Sequence, residues 1–209
     1  MARKSKNKPS KFKVAIVGEG DTEWYYFTSM RQCEKFSFKV EPELPKHSDY
    51  KSIISTARRK REEGYDLVFC VLDLDRIITN PSENKGYLAE KRKKKSNNGI
   101  EFIETMPCIE FWFLLYFLDN YSSKVYMNYE QVSKPLKSFI PNYEKTGDFF
   151  KSVQIYEHLG KIGSFDKADT FARKLSEEKE GSCDPFFNFS EIHRLIEELK
   201  ACTTKLSGA

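Results

Sequence analysis

Asp66-Leu67-Val68-Phe69-Cys70-Val71-Leu72-Asp73 is an apolar run of six residues closed by an acid at each end. Its β-branched and aromatic content suits a strand. Continuous rather than alternating hydrophobicity suits a strand covered on both faces, as in parallel sheets wrapped by helices. The flanking segments should then alternate strand and helix, and they read that way. Upstream, residues 12–17 (FKVAIV) form a short buried strand broken by Gly18-Glu19-Gly20. Asp21 or Thr22 can cap a helix that runs to about Cys33. Residues 36–44 alternate as a strand does, and Ser48 to Gly64 reads as a helix with Ile53, Ile54 and Ala57 on one face. Downstream come a loop at Asn80-Pro81, a polar helix over 82–95, a turn at Asn97-Asn98-Gly99 and a strand over 100–105. Pro107 suits the first position of a helix reaching about Leu118. The expected fold class is therefore α/β: a mostly parallel sheet flanked by helices and joined by right-handed crossovers.

The rest of the chain changes character. Residues 129–140, 148–160, 164–179 and 190–201 read as helices, with no convincing strand among them. The expected organisation is a disordered basic arm (1–11), an α/β domain carrying an acidic site (12–120), and a helical C-terminal region packed on it (121–209).

Composition narrows the class. A 14% aromatic content supplies enough bulky core material to argue against a wholly disordered chain. Ten Gly and eight Pro are too few for a collagen-like fibre. No apolar run approaches the roughly 20 residues that span a bilayer, and the longest candidate, Ile109 to Leu118, is interrupted by Glu110. No membrane association and no secretory signal are expected. The five cysteines are odd in number and form no CxxC, which argues against a zinc ribbon, a redox motif or a disulfide scaffold and for a reducing, cytoplasmic setting. The formal charge is +4, yet Arg3, Lys4, Lys6, Lys8, Lys11 and Lys13 supply six positive charges, so the remainder carries −2. A second basic run is Lys91-Arg92-Lys93-Lys94-Lys95. Clustered cations beside a near-neutral body fit contact with nucleic-acid phosphates; a solvated tail and a solvated helix face fit equally.

Parallel α/β sheets place ligands outside the carboxyl ends of their strands. Strand one ends in Val17-Gly18-Glu19-Gly20, and the long apolar strand ends in Leu72-Asp73-Leu74-Asp75. Alternate residues on a strand share a face, so Asp73 and Asp75 are expected to point the same way. Glu19, flanked by glycines, can approach from the neighbouring strand end. Three crowded carboxylates raise each other's pKa, and a divalent cation removes that penalty. Oxygen ligands without thiolates favour Mg²⁺ or Mn²⁺ over Zn²⁺. Other sites fit poorly. Gly18 and Gly20 begin a GxGxxG pattern that fails at Glu23, no phosphate-binding P-loop or GxSxG elbow is present, and His47, His158 and His193 lack metalloprotease spacing.

The order of motifs, VxGEGxTE followed by a helix and then an apolar strand ending in DxD, resembles the TOPRIM catalytic domain of topoisomerases, primases, RNA-maturation nucleases and overcoming-lysogeny-type nucleases. Glu19-Gly20-Asp21-Thr22-Glu23-Trp24-Tyr25-Tyr26-Phe27 looks like the EGxTE-xxYF opening of the RloB-like family. Met106 to Phe117 (MPCIEFWFLLYF) looks like that family's SNPCFExWLLLHF signature. Tyr143-Glu144-Lys145 is similar to its YxK element, and Pro185 to Leu199 to its closing helix. The likeness spans about residues 12–200. It departs at Thr105-Met106, where the signature has Ser-Asn, and at Tyr116, where it has His. It implies a TOPRIM-like nucleolytic protein of bacterial restriction and phage defence, with Glu19 as ligand or general acid/base and Asp73 and Asp75 as Mg²⁺ ligands. Glu23, one helical turn past Glu19, either reaches the same cleft or is an exposed first-turn acid. Glu110, among Ile109, Phe111, Trp112 and Phe113, is costly unless paired or near a metal, so a site role is expected over a capping one. Lys145 either contacts the scissile phosphate or is solvated. The aromatic row Trp112, Phe113, Tyr116 and Phe117 reads as the seam between the two halves rather than a base-stacking platform.

Three functions compete at this point. The first is a Mg²⁺-dependent nuclease acting on DNA or RNA. The second is a non-catalytic subunit of a defence system that binds nucleic acid or a protein partner. The third is a nucleotide-transferring enzyme of primase type.

Overall fold

The computed structural model describes residues 12–36, 39–43, 49–93, 95–120 and 125–207. The expected basic arm (1–11), Lys94, and parts of the predicted 36–44 strand lie outside the described residues. The sheet-forming half runs β1 (Lys13–Val17), α1 (Asp21–Glu34), β2 (Lys39–Glu43), α2 (Tyr50–Glu62), β3 (Leu67–Asp73), α3 (Asp75–Thr79), α4 (Pro81–Lys91), β4 (Ile100–Met106) and α5 (Ile109–Leu115). It continues through α6 (Tyr129–Phe139), α7 (Gly147–Ser152), α8 (Ile155–Ile162), α9 (Phe165–Gly181), β5 (Phe189–Ser190) and α10 (Ile192–Ser207).

The strands form one sheet in the order β2-β1-β3-β4-β5, with the first four mutually parallel and β5 antiparallel to β4. The fold is therefore α/β with a mostly parallel open sheet. Val68 to Leu72 of β3 are fully buried, as continuous hydrophobicity requires of a central strand covered on both faces. Chain order reverses between β1 and β3: from β1 the chain crosses to β2 on one side, then returns to β3 on the other. That reversal opens a crevice at the carboxyl ends of β1 and β3.

Several local expectations need correction, each for a backbone reason. Gly20, not Asp21 or Thr22, is the N-cap of α1, and the Glu23 carboxylate accepts the Gly20 N–H at 2.9 Å. Pro107 lies two residues ahead of α5; Cys108 is the N-cap, and the Met106–Pro107 peptide is cis. Where the chain leaves β3 and α3 begins, the Leu74 N–H donates to the carbonyls of Thr105 (2.9 Å) and Pro107 (3.1 Å), and the Asp75 N–H to that of Pro107 (3.2 Å). A second helix, α4, follows with Asn80 as its cap, and it ends at Lys91 rather than 95. α5 stops at Leu115, where the Tyr116 carbonyl accepts the Ser164 N–H at 3.0 Å from another part of the chain. Gly163 permits that approach, since a Cβ there would lie 2.9 Å from both Tyr116 and Phe117. The predicted 148–160 helix is two, α7 and α8, because Val153 and Gln154 leave helical geometry.

The largest departure from expectation is β5. Two residues carry no hydrophobic pattern of their own, yet Phe189 and Ser190 pair with Met106 and Thr105, and the Thr105 and Ser190 hydroxyls lie 3.1 Å apart. The aromatic row is the seam that the sequence favours. Trp112 and Phe113 are fully buried, the Trp112 indole N–H donates to the Tyr26 hydroxyl at 2.8 Å, and Trp112 and Tyr116 both pack edge-on against Phe165 of α9. Among the described residues no helix is long and apolar enough to cross a membrane.

Candidate metal centre

β1 and β3 lie in register with Val17 beside Cys70, so the two chains leave the sheet side by side. Glu19 sits just past β1, and its Oε1 accepts the backbone N–H of Asp73 at 2.8 Å. The carboxylate is thereby held against the end of β3. Asp73 is 7% exposed, and its Oδ1 accepts the Ile109 N–H at 2.9 Å at the start of α5. Glu23 is 2% exposed, so it is not an exposed first-turn acid. Gly18 makes room for it: a Cβ at that position would lie 2.5 Å from Glu23 Cβ.

Glu110 is fully buried. Its Oε1 accepts from the Thr22 hydroxyl (3.3 Å) and the Tyr143 hydroxyl (3.0 Å), and lies 3.3 Å from the Lys145 ammonium. The same ammonium stands 3.9 Å from Asp73 Oδ2 and 5.3 Å from the centre of the Tyr129 ring. Lys145 is thus neither a free surface lysine nor remote from the acids. Glu110 Oε2 and Glu23 Oε1 are buried without a hydrogen-bond partner. Buried acceptors left unpaired are costly, and here two belong to carboxylates.

The electrostatics follow from four carboxylates sharing a poorly hydrated space. Burial, then Glu23, push Glu19 up to about 8 against the opposing pull of the Asp73 N–H and Lys145. Burial, aided by Glu110, pushes Glu23 up to about 7 against Lys145. Burial, then Glu23 and Glu19, hold Asp73 well above the usual carboxylate range. At neutral pH such a cluster must retain protons or take up a cation.

Asp75 does not share a strand face with Asp73. β3 ends at Asp73, and Asp75 opens α3, where its Oδ1 accepts the Arg76 N–H at 2.6 Å. It is partly buried, and its charge still acts on Glu19. Among the described residues, the acids and thiols whose ligand atoms all fall within 4.8 Å of one another are Asp73, Cys108 and Glu110, all buried. This group could hold a metal ion. The trio the sequence singles out, Glu19, Asp73 and Asp75, is less closely drawn.

The basic run lies elsewhere. Lys91, Arg92, Lys93 and Lys95 occupy the return leg of the β3-to-β4 crossover, where the chain heads for the amino end of β4. Lys91 is paired with Glu104 and Lys93 with Glu90, each at 2.5 Å. Arg76, by contrast, lines a small cleft together with Glu19 and Asp73. Thr22 and Tyr129 gain a place at the site only in the fold, and sequence reasoning gives no site role to Arg76, Cys108 and Tyr143 either. Each of the last three stands within two positions of a singled-out residue, namely Asp75, Glu110 and Lys145.

No curated protein and no solved structure matches the chain. The family model for RloB-like proteins matches residues 14–199, most of the chain's length, and the chain belongs to the RloB-like family.

Proposed function

We propose that this protein is a metal-dependent nuclease of TOPRIM type, cleaving phosphodiesters of DNA or RNA in bacterial phage defence. The observation that carries the reading is the meeting of Glu19 and Asp73 at the switch point of the sheet, with burial raising both pKa values and two further acids behind them. This donor set suits a hard divalent cation such as Mg²⁺ or Mn²⁺. Glu19 and Asp73 would hold it, with Asp75 at the rim; bound there, it would neutralise charge on the phosphate and lower the pKa of an attacking water.

The chain's own residues do the rest. Glu19, held against the end of β3 by the Asp73 N–H, would orient a water beside the cation and take its proton once the cation has displaced the carboxylate's own. The Lys145 ammonium and the Arg76 guanidinium offer positive charge to a phosphate entering the cleft. Thr22 and Tyr143 hold Glu110 in place behind Asp73. The partner is nucleic acid and the setting cytoplasmic on this reading. The defence role rests on family membership and the motif likeness.

The test is cleavage of labelled single- and double-stranded DNA and RNA by the full chain with Mg²⁺ or Mn²⁺. Glu19→Gln and Asp73→Asn should each lower the rate by at least about 100-fold while circular dichroism stays unchanged. Undiminished turnover in both folded variants would remove the nuclease. Binding of nucleic acid without cleavage by the wild type would leave the binding-subunit reading in its place.

A further inference from the structure

The buried group of Asp73, Cys108 and Glu110 has the ligand spacing of a metal seat, yet a cation of the chain's own already reaches it. We propose that the Lys145 ammonium is the resident cation of the Asp73–Cys108–Glu110 nest and stands in for a second divalent ion, so that the cleft takes one metal rather than two. The inference deepens the metal-dependent reading and rests on it in part.

Three observations carry it. Lys145 Nζ lies 3.3 Å from Glu110 Oε1 and 3.9 Å from Asp73 Oδ2, bridging two of the three nest ligands. The ammonium also faces the Tyr129 ring at 5.3 Å, so aromatic and anionic partners fix it together. The nest also points to a ligand on separate evidence: Glu110 Oε2 is fully buried and has no hydrogen-bond partner. In two-metal phosphoryl-transfer sites the ions stand about 3.5–4 Å apart and share a carboxylate. Here Asp73 would be the shared carboxylate: Glu19 is held at its backbone N–H, and Lys145 stands 3.9 Å from its Oδ2. A divalent ion brought into the nest would be repelled by the fixed ammonium at this distance. A tethered lysine has the advantage that it cannot dissociate when free metal is scarce.

Removing the ammonium should expose the nest to solution metal. Cys108 would then lose its proton to a metal able to bind sulfur, and Co²⁺ reports that bond by thiolate-to-metal absorption. The measurement uses the full chain carrying Cys33→Ser and Cys183→Ser, both exposed positions, to silence adventitious thiols. With Lys145 intact, Co²⁺ should bind at about one equivalent with no thiolate band. Lys145→Ala should bind about two equivalents and show the band, and adding Cys108→Ser should abolish it. Two equivalents or a thiolate band with Lys145 present overturns the proposal, and this arm decides even where Lys145→Ala fails to fold. A folded Lys145→Ala chain that binds no more metal than its parent also overturns it. Absence of metal from the parent, with one thiolate-linked equivalent in Lys145→Ala, would remove the metal-dependent nuclease while upholding the resident ammonium.

Discussion

Raising the pH should destabilise the metal-free protein, and Glu19 sets the size of the effect. Burial lifts its pKa from the ordinary 4.5 to about 8 in the fold. A group whose folded pKa is raised contributes stability that is fully present below the unfolded value and lost as pH climbs through the folded one. The window therefore runs from about pH 4.5 to about pH 8. Each pKa unit corresponds to about 1.4 kcal/mol. Between about pH 5.5 and about pH 8.5, Glu19 alone should remove about 3 kcal/mol, trimmed to about 2 kcal/mol by screening at its solvent-facing side. At about 2–4 °C per kcal/mol for a chain of this size, the Tm should fall by about 4–12 °C. Glu23, raised to about 7, acts in the same direction and its charge bears on Glu19, so the two are not summed. The assay is thermal melting in chelator across that interval, repeated with Mn²⁺ in excess. A cation at one hundred times its Kd should restore about 2.7 kcal/mol at the alkaline end. Glu19→Gln should flatten the chelated profile, because its amide oxygen can still accept the Asp73 N–H but carries no charge. A level chelated profile in the wild type, or a full slope retained in Glu19→Gln, refutes the argument from burial.

Three further outcomes follow from the same geometry. Gly18→Ala places a methyl 2.5 Å from Glu23 Cβ, so Glu23 must move; a loss of about 1–3 kcal/mol in urea unfolding is expected, with weaker Mn²⁺ binding by calorimetry. Tyr143→Phe removes a donor from the fully buried Glu110 and should cost about 1–3 kcal/mol, read by the same unfolding experiment near pH 8. Deleting residues 1–11 should flatten the salt dependence of nucleic-acid binding by about 0.7–0.9 in log–log slope for each phosphate the arm neutralises; an unaltered slope shows that it neutralises none.

The legibility of the site varies with how far each residue's role depends on its neighbours in sequence. β1 and β3 announce themselves because buried parallel strands need continuous hydrophobicity, and Glu19 and Asp73 follow from where those strands stop. Asp75 departs from expectation because strand alternation does not extend past the last strand residue. Where β3 ends, the Leu74 and Asp75 N–H groups bond to carbonyls of Thr105 and Pro107, more than thirty positions away, which no local pattern reveals. β5 escapes a sequence reading because its two residues owe their conformation to β4. Glu110 stands out through its conflict with an apolar helix, whereas the residues that resolve the conflict, Thr22, Tyr143 and Lys145, come from two other segments. The split between α7 and α8 leaves no mark in the sequence, since Val153 and Gln154 are ordinary helix residues.

Lys145 arrives late. During synthesis Glu19, Glu23, Asp73 and Glu110 all leave the ribosome before the lysine that pairs with Asp73 and Glu110 and opposes the charge of the other two, and before the Tyr143 hydroxyl that Glu110 accepts. A nascent chain ending near residue 120 has four acids to enclose and neither of these partners to enclose them with. The acidic pocket can close only when the segment carrying Tyr143 and Lys145 docks, so its assembly waits on residues that follow the sheet-forming half.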